Sequence, residues 1–128
     1  MKFTSIFFLI GTLLLSCSPF RSRDEVKEFI PGTYVTDWKN EFTESKDTIV
    51  ITAPSTKGSD SYRIFKKSYY QQTIDGKELK PHYKVQGWTG TYNAEVKTIV
   101  IDKSGRVLLF NPDAGSLIEG TTTYNKIK

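Results

Sequence analysis

Asp47-Thr48-Ile49-Val50-Ile51-Thr52 is the stretch whose reading decides the fold. Its β-branched side chains follow one another without a break. Such side chains are stiff at χ1 and pack well on a pleated surface, so the segment is a strand. Residues 53–59, with Pro54 and Gly58, turn the chain behind it.

The pattern repeats in both directions. Upstream, residues 33–38 are strand-like, and residues 40–46 are polar and charged, which reads as a loop. Downstream, residues 61–67 alternate, with Tyr62 and Ile64 on one face and Arg63 on the other. Residues 68–74 continue the strand after a kink at Lys66-Lys67-Ser68, and Asp75-Gly76 is a turn signal that residues 77–81 lengthen. Residues 82–92 form the longest candidate: Tyr83 and Val85 share one face, Trp88 and Tyr92 the other. Residues 96–101 and 106–110 are strands on either side of Lys103-Ser104-Gly105. After a turn at 111–115 the chain closes with residues 117–118 and 121–127, one strand broken near Glu119-Gly120 or two.

About seven to nine short strands, with turns roughly every 8–12 residues, predict an all-β, antiparallel up-and-down meander, closed as a small barrel or folded as a sandwich. The connections are too short for the crossover helices of a parallel sheet. Gly32-Thr33-Tyr34 before Thr48-Ile49-Val50-Ile51 is echoed by Gly90-Thr91-Tyr92 before Thr98-Ile99-Val100-Ile101. The flanks do not match, so the echo reads as reuse of strand-turn-strand chemistry rather than duplication. Ahead of the strands, Ser22-Arg23-Asp24-Glu25 has capping-box spacing, and Val26, Phe29 and Ile30 form an apolar stripe that Pro31-Gly32 ends. A short helix or helical turn is expected there.

The opening of the chain has a different character. Lys2 precedes a mainly apolar, uncharged run over residues 3–15, then Ser16 and the protein's only cysteine, Cys17. A positive start, a short apolar run and a small residue make a secretory signal, too short for a membrane span of roughly 20 residues. Leu14-Leu15-Ser16-Cys17 resembles the lipobox of bacterial lipoproteins. The resemblance implies cleavage between Ser16 and Cys17, a diacylglycerol thioether on the cysteine and an acyl chain on its new amine. Ser18, where an Asp would retain a lipoprotein in the inner membrane, implies the outer membrane, on its periplasmic face. The organisation expected is a signal peptide over 1–16, a lipidated cysteine with tether and possible helix over 17–30, and one β domain over 31–128.

Composition narrows the function. Formal net charge is +4, and loss of residues 1–16 removes only Lys2, leaving +3 on the mature chain. The basic residues are scattered rather than gathered into the stripe of a nucleic-acid binder, so no nucleic-acid partner is expected. His82 is the only histidine, and with no free cysteine after acylation neither a metal site nor any cofactor is expected. No Gly-x-Ser-x-Gly elbow or Gly-rich phosphate loop occurs. Asp37, Glu41, Glu44 and Asp47 cluster in sequence, but Lys39 and Lys46 interleave them as in a solvated loop. No catalytic residues are assigned.

Aromatic residues are in surplus: Tyr 7, Phe 8 and Trp 2. Some fill the core, and the others suit a binding surface, where an apolar body and a polar tip are useful together. Trp88 and Tyr70 are the first candidates for a partner-binding face, followed by Tyr92 and Trp38.

Gly32-Thr33-Tyr34-Val35, Asp47-Thr48-Ile49-Val50-Ile51, Ile74-Asp75-Gly76-Lys77, Trp88-Thr89, Tyr92 and Tyr124-Asn125-Lys126-Ile127 resemble small Gram-negative lipoproteins carrying one domain of unknown function, often found on conjugative transposons. That family has no assigned activity. More loosely, the Gly-Thr-Tyr opening strand and meander look like lipocalin-type barrels, without their usual Gly-x-Trp. The expectation is a non-enzymatic envelope lipoprotein that binds another protein, as an accessory of conjugation or envelope assembly. The alternative is a lipocalin-like carrier of a small apolar ligand, and behind it a hydrolase of envelope glycans using Asp37, Glu41 or Asp47.

Overall fold

The computed structural model describes residues 24–128. The stretch read as a signal peptide, with Ser16 and Cys17, and the expected tether through Arg23 lie outside the described residues. Among the described residues the chain forms one helix, α1 (Glu25–Phe29), and nine strands: β1 (Gly32–Lys39), β2 (Thr43–Thr52), β3 (Ser61–Ile74), β4 (Lys77–Glu78), β5 (His82–Asn93), β6 (Thr98–Ile101), β7 (Val107–Asn111), β8 (Ser116–Glu119) and β9 (Thr122–Lys126).

Every pairing is antiparallel. The strands follow one another as β1, β2, β3, β5, β6, β7, β8 and β9, and β9 returns to β1, so eight strands close a barrel and β4 is an extra strand on β3. The seam is narrow. β9 meets β1 only at Tyr34–Lys126 and Val35–Asn125, extended by hydrogen bonds from Thr33 N to Lys128 O and from Ile127 N to Thr33 O. The fold is thus the barrel rather than the sandwich.

Period-two alternation explains the core. Tyr34, Ile49, Ile51, Tyr62, Ile64, Tyr92, Ile99, Ile101, Leu108, Leu117 and Tyr124 all point inward and are buried. They fill the interior, as an eight-stranded barrel permits. Gly90 measures how tightly: a Cβ there would stand 2.5 Å from Ile99 Cγ2 and 3.0 Å from Ile64 Cδ1. The sequence echo is realised in the pairing. Gly32, Thr33 and Tyr34 face Ile51, Val50 and Ile49, while Gly90, Thr91 and Tyr92 face Ile101, Val100 and Ile99 in the same relation.

Helix α1 stoppers one end. Asp24, rather than Ser22, is its N-cap, with the carboxylate accepting from Lys27 N at 3.0 Å. So short a helix depends on docking. Val26 and Ile30 enter the core, Phe29 packs edge-on against Tyr34 and Phe110, and the Tyr34 hydroxyl donates to Ile30 O at 2.8 Å. Ordered charges fasten the same end: the Tyr92 hydroxyl donates to Asp24 Oδ2 at 2.7 Å, and Lys27 Nζ reaches Asp60 at 2.7 Å.

Three local expectations are corrected. Residues 43–46 belong to β2 rather than to a loop, the kink at Lys66-Lys67-Ser68 is absent because β3 runs unbroken for 14 residues, and Val96 sits in a turn with Lys97 at φ 55° instead of opening a strand.

Candidate functional site

β1, β2, β3 and β5 outrun the barrel. Past Val35, β1 no longer pairs with β9, although Thr121–Thr123 still flank its residues 36–38, and β6 pairs with β5 only over Gly90–Asn93. The remaining lengths still pair with one another: Trp38 with Ser45, Ser45 with Tyr70, and Tyr70 with His82. The result is a four-stranded ribbon projecting from the end of the barrel opposite α1, with solvent on both faces. All five exposed aromatic side chains among the described residues, Trp38, Phe42, Phe65, Tyr70 and Tyr83, lie between β1 and β5.

Register sorts them onto two faces, since directly opposed residues in an antiparallel pair share a side. The face continuous with the barrel interior carries the row Trp38, Ser45, Tyr70 and His82. The Tyr70 and His82 rings stack with centroids 4.6 Å apart and planes 11° from parallel. The next row towards the barrel is Thr36, Asp47, Ser68 and Lys84, a line of hydrogen-bonding groups. The opposite face carries Asp37, Lys46, Tyr69 and Tyr83. There the two tyrosine rings lie 5.2 Å apart, and the Tyr69 hydroxyl donates to Gln71 at 3.1 Å.

Where ribbon meets barrel, a charged cluster closes the second end. Glu119 Oε1 accepts from Arg106 at 2.9 Å and stands 3.6 Å from Lys66 Nζ, while its Oε2 is buried without a hydrogen-bond partner in the described chain. The Arg106 guanidinium lies over the Trp88 ring, 4.7 Å from its centroid, and Lys66 Nζ is 5.9 Å from the Tyr124 centroid. A lysine on the inward face, set against Glu119 and Tyr124, is why β3 needs no kink at Lys66.

The four predicted aromatics therefore separate. Trp38 and Tyr70 are exposed on the inward-continuing face of the ribbon, and Trp88 is half-buried beneath Arg106 at its root. Tyr92 is a correction. It shares the face of Trp88, as predicted, but that face points into the barrel, where Tyr92 is 3% exposed and bonded to Asp24. It offers nothing to a partner. Sequence reading missed Tyr83, the most exposed aromatic at 75%, and Phe42 at 64%. Tyr83 carried a signal: it alternates away from Trp88. Phe42 stood in a segment read as polar loop.

The carboxylates do not converge. Asp37 and Asp47 sit on opposite faces of neighbouring strands, with Asp37 opposite Lys46 and Asp47 opposite Thr36. Among the described residues no three His, Cys, Asp or Glu side chains are placed to share a metal ion. Burial pushes the hydroxyls of Tyr34, Tyr62, Tyr92 and Tyr124 towards their neutral forms, and these groups lie in the packed interior, away from the ribbon. No helix among the described residues is long and apolar enough to cross a membrane. No family model, curated protein or solved structure matches the chain.

Proposed function

We propose that this protein is a non-enzymatic, lipid-anchored module of the bacterial envelope that binds another protein through its ribbon, as an accessory of conjugation or envelope assembly. The observation that carries the reading is polarity of the molecule. The described chain enters at α1, at one end of the barrel, and four of its five exposed aromatics, Trp38, Phe42, Tyr70 and Tyr83, lie on the ribbon at the other end. Acylation at Cys17, the lipobox cysteine, then sets the helix end beside the membrane. β5 runs from the helix end to the ribbon tip, and its 12 residues at about 3.3 Å each, tilted as barrel strands are, raise the tip roughly 25–30 Å above that end. A tethered protein whose contact surface faces away from its own membrane is arranged to meet a partner in the space beyond.

The supporting chemistry is consistent with binding rather than turnover. The ribbon offers aromatic rings with polar rows beside them, and its carboxylates are dispersed over both faces. A carrier of a small apolar ligand draws less support, because the interior that would hold the ligand is occupied by Tyr34, Tyr62, Tyr92, Tyr124 and the aliphatic core.

Site-specific photo-crosslinking in living cells tests the proposal. A crosslinker at Tyr83 or Phe42 should capture a discrete envelope protein, and one at Glu95, by the helix end, should not capture the same protein. Equal capture at both ends, or none at the ribbon, would reject this reading.

A further inference from the structure

The proposed partner surface has one feature with a specific geometry: the outer edge of β5. The hydrogen bond from Tyr92 N to Asp60 O shows that the even-numbered residues of β5 direct their backbone groups at β3. The bond from Asp102 N to Thr89 O shows that the odd-numbered ones point the other way. Over Gly90–Asn93 that other side is filled by β6. Beyond it no strand of the described chain pairs with the lane along Tyr83, Val85 and Gly87, whose N–H and C=O groups face that side. A long open edge is a template for another chain, and proteins usually blunt it.

The lane has walls. At its root lies a recess of about 440 Å³, lined by Arg63, Phe65, Gly87, Trp88, Ile101 and Lys103. Gly87 and the Phe65 ring form one wall of it: the ring packs over the place where a Cβ would stand, with Cε1 at 3.3 Å. Phe65, Val85 and Tyr83 make the outward face of the lane apolar, and all three are exposed. Towards the barrel its surroundings are basic, with Arg63, Lys67, Lys84 and Lys103 against Asp102, whose carboxylate is held by Thr91 at 2.9 Å, while Glu44 and Glu78 stand by Tyr69, the partner of Tyr83, at the tip.

Resting on the reading that the ribbon binds a protein, we infer that the free edge of β5 takes up an extended acidic segment of that partner as an additional antiparallel or parallel strand. Backbone hydrogen bonds to Tyr83, Val85 and Gly87 supply the attachment, as in other strand-addition complexes. One apolar side chain of the segment seats against Phe65 above Gly87. Its acidic side chains, alternating with the apolar ones, fall on the other face, where Lys84 stands.

The probe is a short acetylated peptide alternating glutamate with valine or phenylalanine, added to the full-length protein in detergent micelles. Hydrogen exchange at the Tyr83, Val85 and Gly87 amides should slow by at least about tenfold, while the already paired even-numbered amides change little. The counterpart peptide with lysine for glutamate should leave exchange unchanged. Val85→Pro removes an outward N–H while leaving the β3 ladder intact, so it should abolish the effect; Pro is tolerated at such edge positions. Lys84→Glu with Lys103→Glu tests charge without touching the backbone and should weaken binding of the acidic peptide. Equal protection by both peptides, or none by the acidic one, overturns the inference. Protection that grows with protein concentration in the absence of peptide overturns it in favour of a second copy. Loss of peptide binding with ribbon crosslinking intact would reject the edge alone and leave the proposed function standing.

Discussion

The Tyr92 hydroxyl donates a 2.7 Å hydrogen bond to Asp24, 68 residues earlier in the chain, and so fixes the cap of the stoppering helix to the longest wall of the barrel. Asp24 gathers three further interactions, from Lys27 N, from Lys97 at 3.5 Å and, through Lys27, with Asp60. Burial alone would raise its carboxyl, but the Lys27 amide, the Tyr92 hydroxyl and Lys97 outweigh it and hold Asp24 below the usual carboxylate range.

The first prediction follows from that pair. Tyr92→Phe leaves a part-buried carboxylate oxygen without its donor, and about 1–3 kcal/mol of stability should be lost in denaturant unfolding. Because the folded carboxyl titrates below the unfolded one, its contribution is complete above the unfolded value and disappears as pH falls below about 4. Asp24→Asn should therefore flatten the acid limb of stability against pH, and an unchanged limb would contradict the assignment.

At the alkaline side the sign reverses. Tyr34, Tyr62, Tyr92 and Tyr124 are held neutral above their ordinary range, chiefly by burial. Their unfolded counterparts ionise near pH 10, so the fold loses stability as pH rises from about 10. Absorbance at the tyrosinate band should show these four ionising together with loss of tertiary structure. Their ionisation in the intact fold would refute this account of the interior.

Gly90→Ala tests the packing. The added methyl would meet Ile99 Cγ2, Ile64 Cδ1 and Val100 O at 2.5, 3.0 and 3.3 Å, leaving no side on which to yield. Overpacking of this kind typically costs about 1–3 kcal/mol, which a shift in the denaturation midpoint would register. A neutral result would mean the barrel has slack.

Cys17→Ser tests the anchor. Mature net charge is only +3 and dispersed, and each basic residue near a membrane surface contributes about 1 kcal/mol. That cannot replace buried acyl chains worth about 0.8 kcal/mol per methylene. The variant should leave the membrane fraction or persist as precursor, whereas the wild type should incorporate labelled fatty acid. A fully processed variant that stays membrane-bound in high salt would refute lipidation.

The barrel was legible wherever one face of a strand meets the core. Ile49 and Ile51, Tyr62 and Ile64, and Ile99 and Ile101 alternate with exposed neighbours, and their strands were placed to within a few residues. In the ribbon the loss was confined to the start of β2: Glu44 and Lys46 stand on a strand wet on both sides, so no apolar period marks them and residues 43–46 read as a loop, whereas the ribbon lengths of β1, β3 and β5 read as strands. Tyr92 shows the limit of face assignment. Periodicity groups it correctly with Trp88, but which of two faces becomes the interior depends on the closure of β9 onto β1, a pairing with no local signal.

That closure also orders events when the chain acquires its shape. Along the barrel, every strand pairing but one joins neighbours in the meander, so hairpins can form one after another with short loops to close. The exception, Tyr34 with Lys126, spans nearly the whole domain, and long-range pairings of this kind are the slow ones. A chain delivered from its N-terminus would thus emerge as a curling sheet that stays open until its last strand arrives. Truncation before Tyr124 would leave β1 and β8 as two raw, sticky borders, and such a product should aggregate or be degraded rather than accumulate as a smaller barrel.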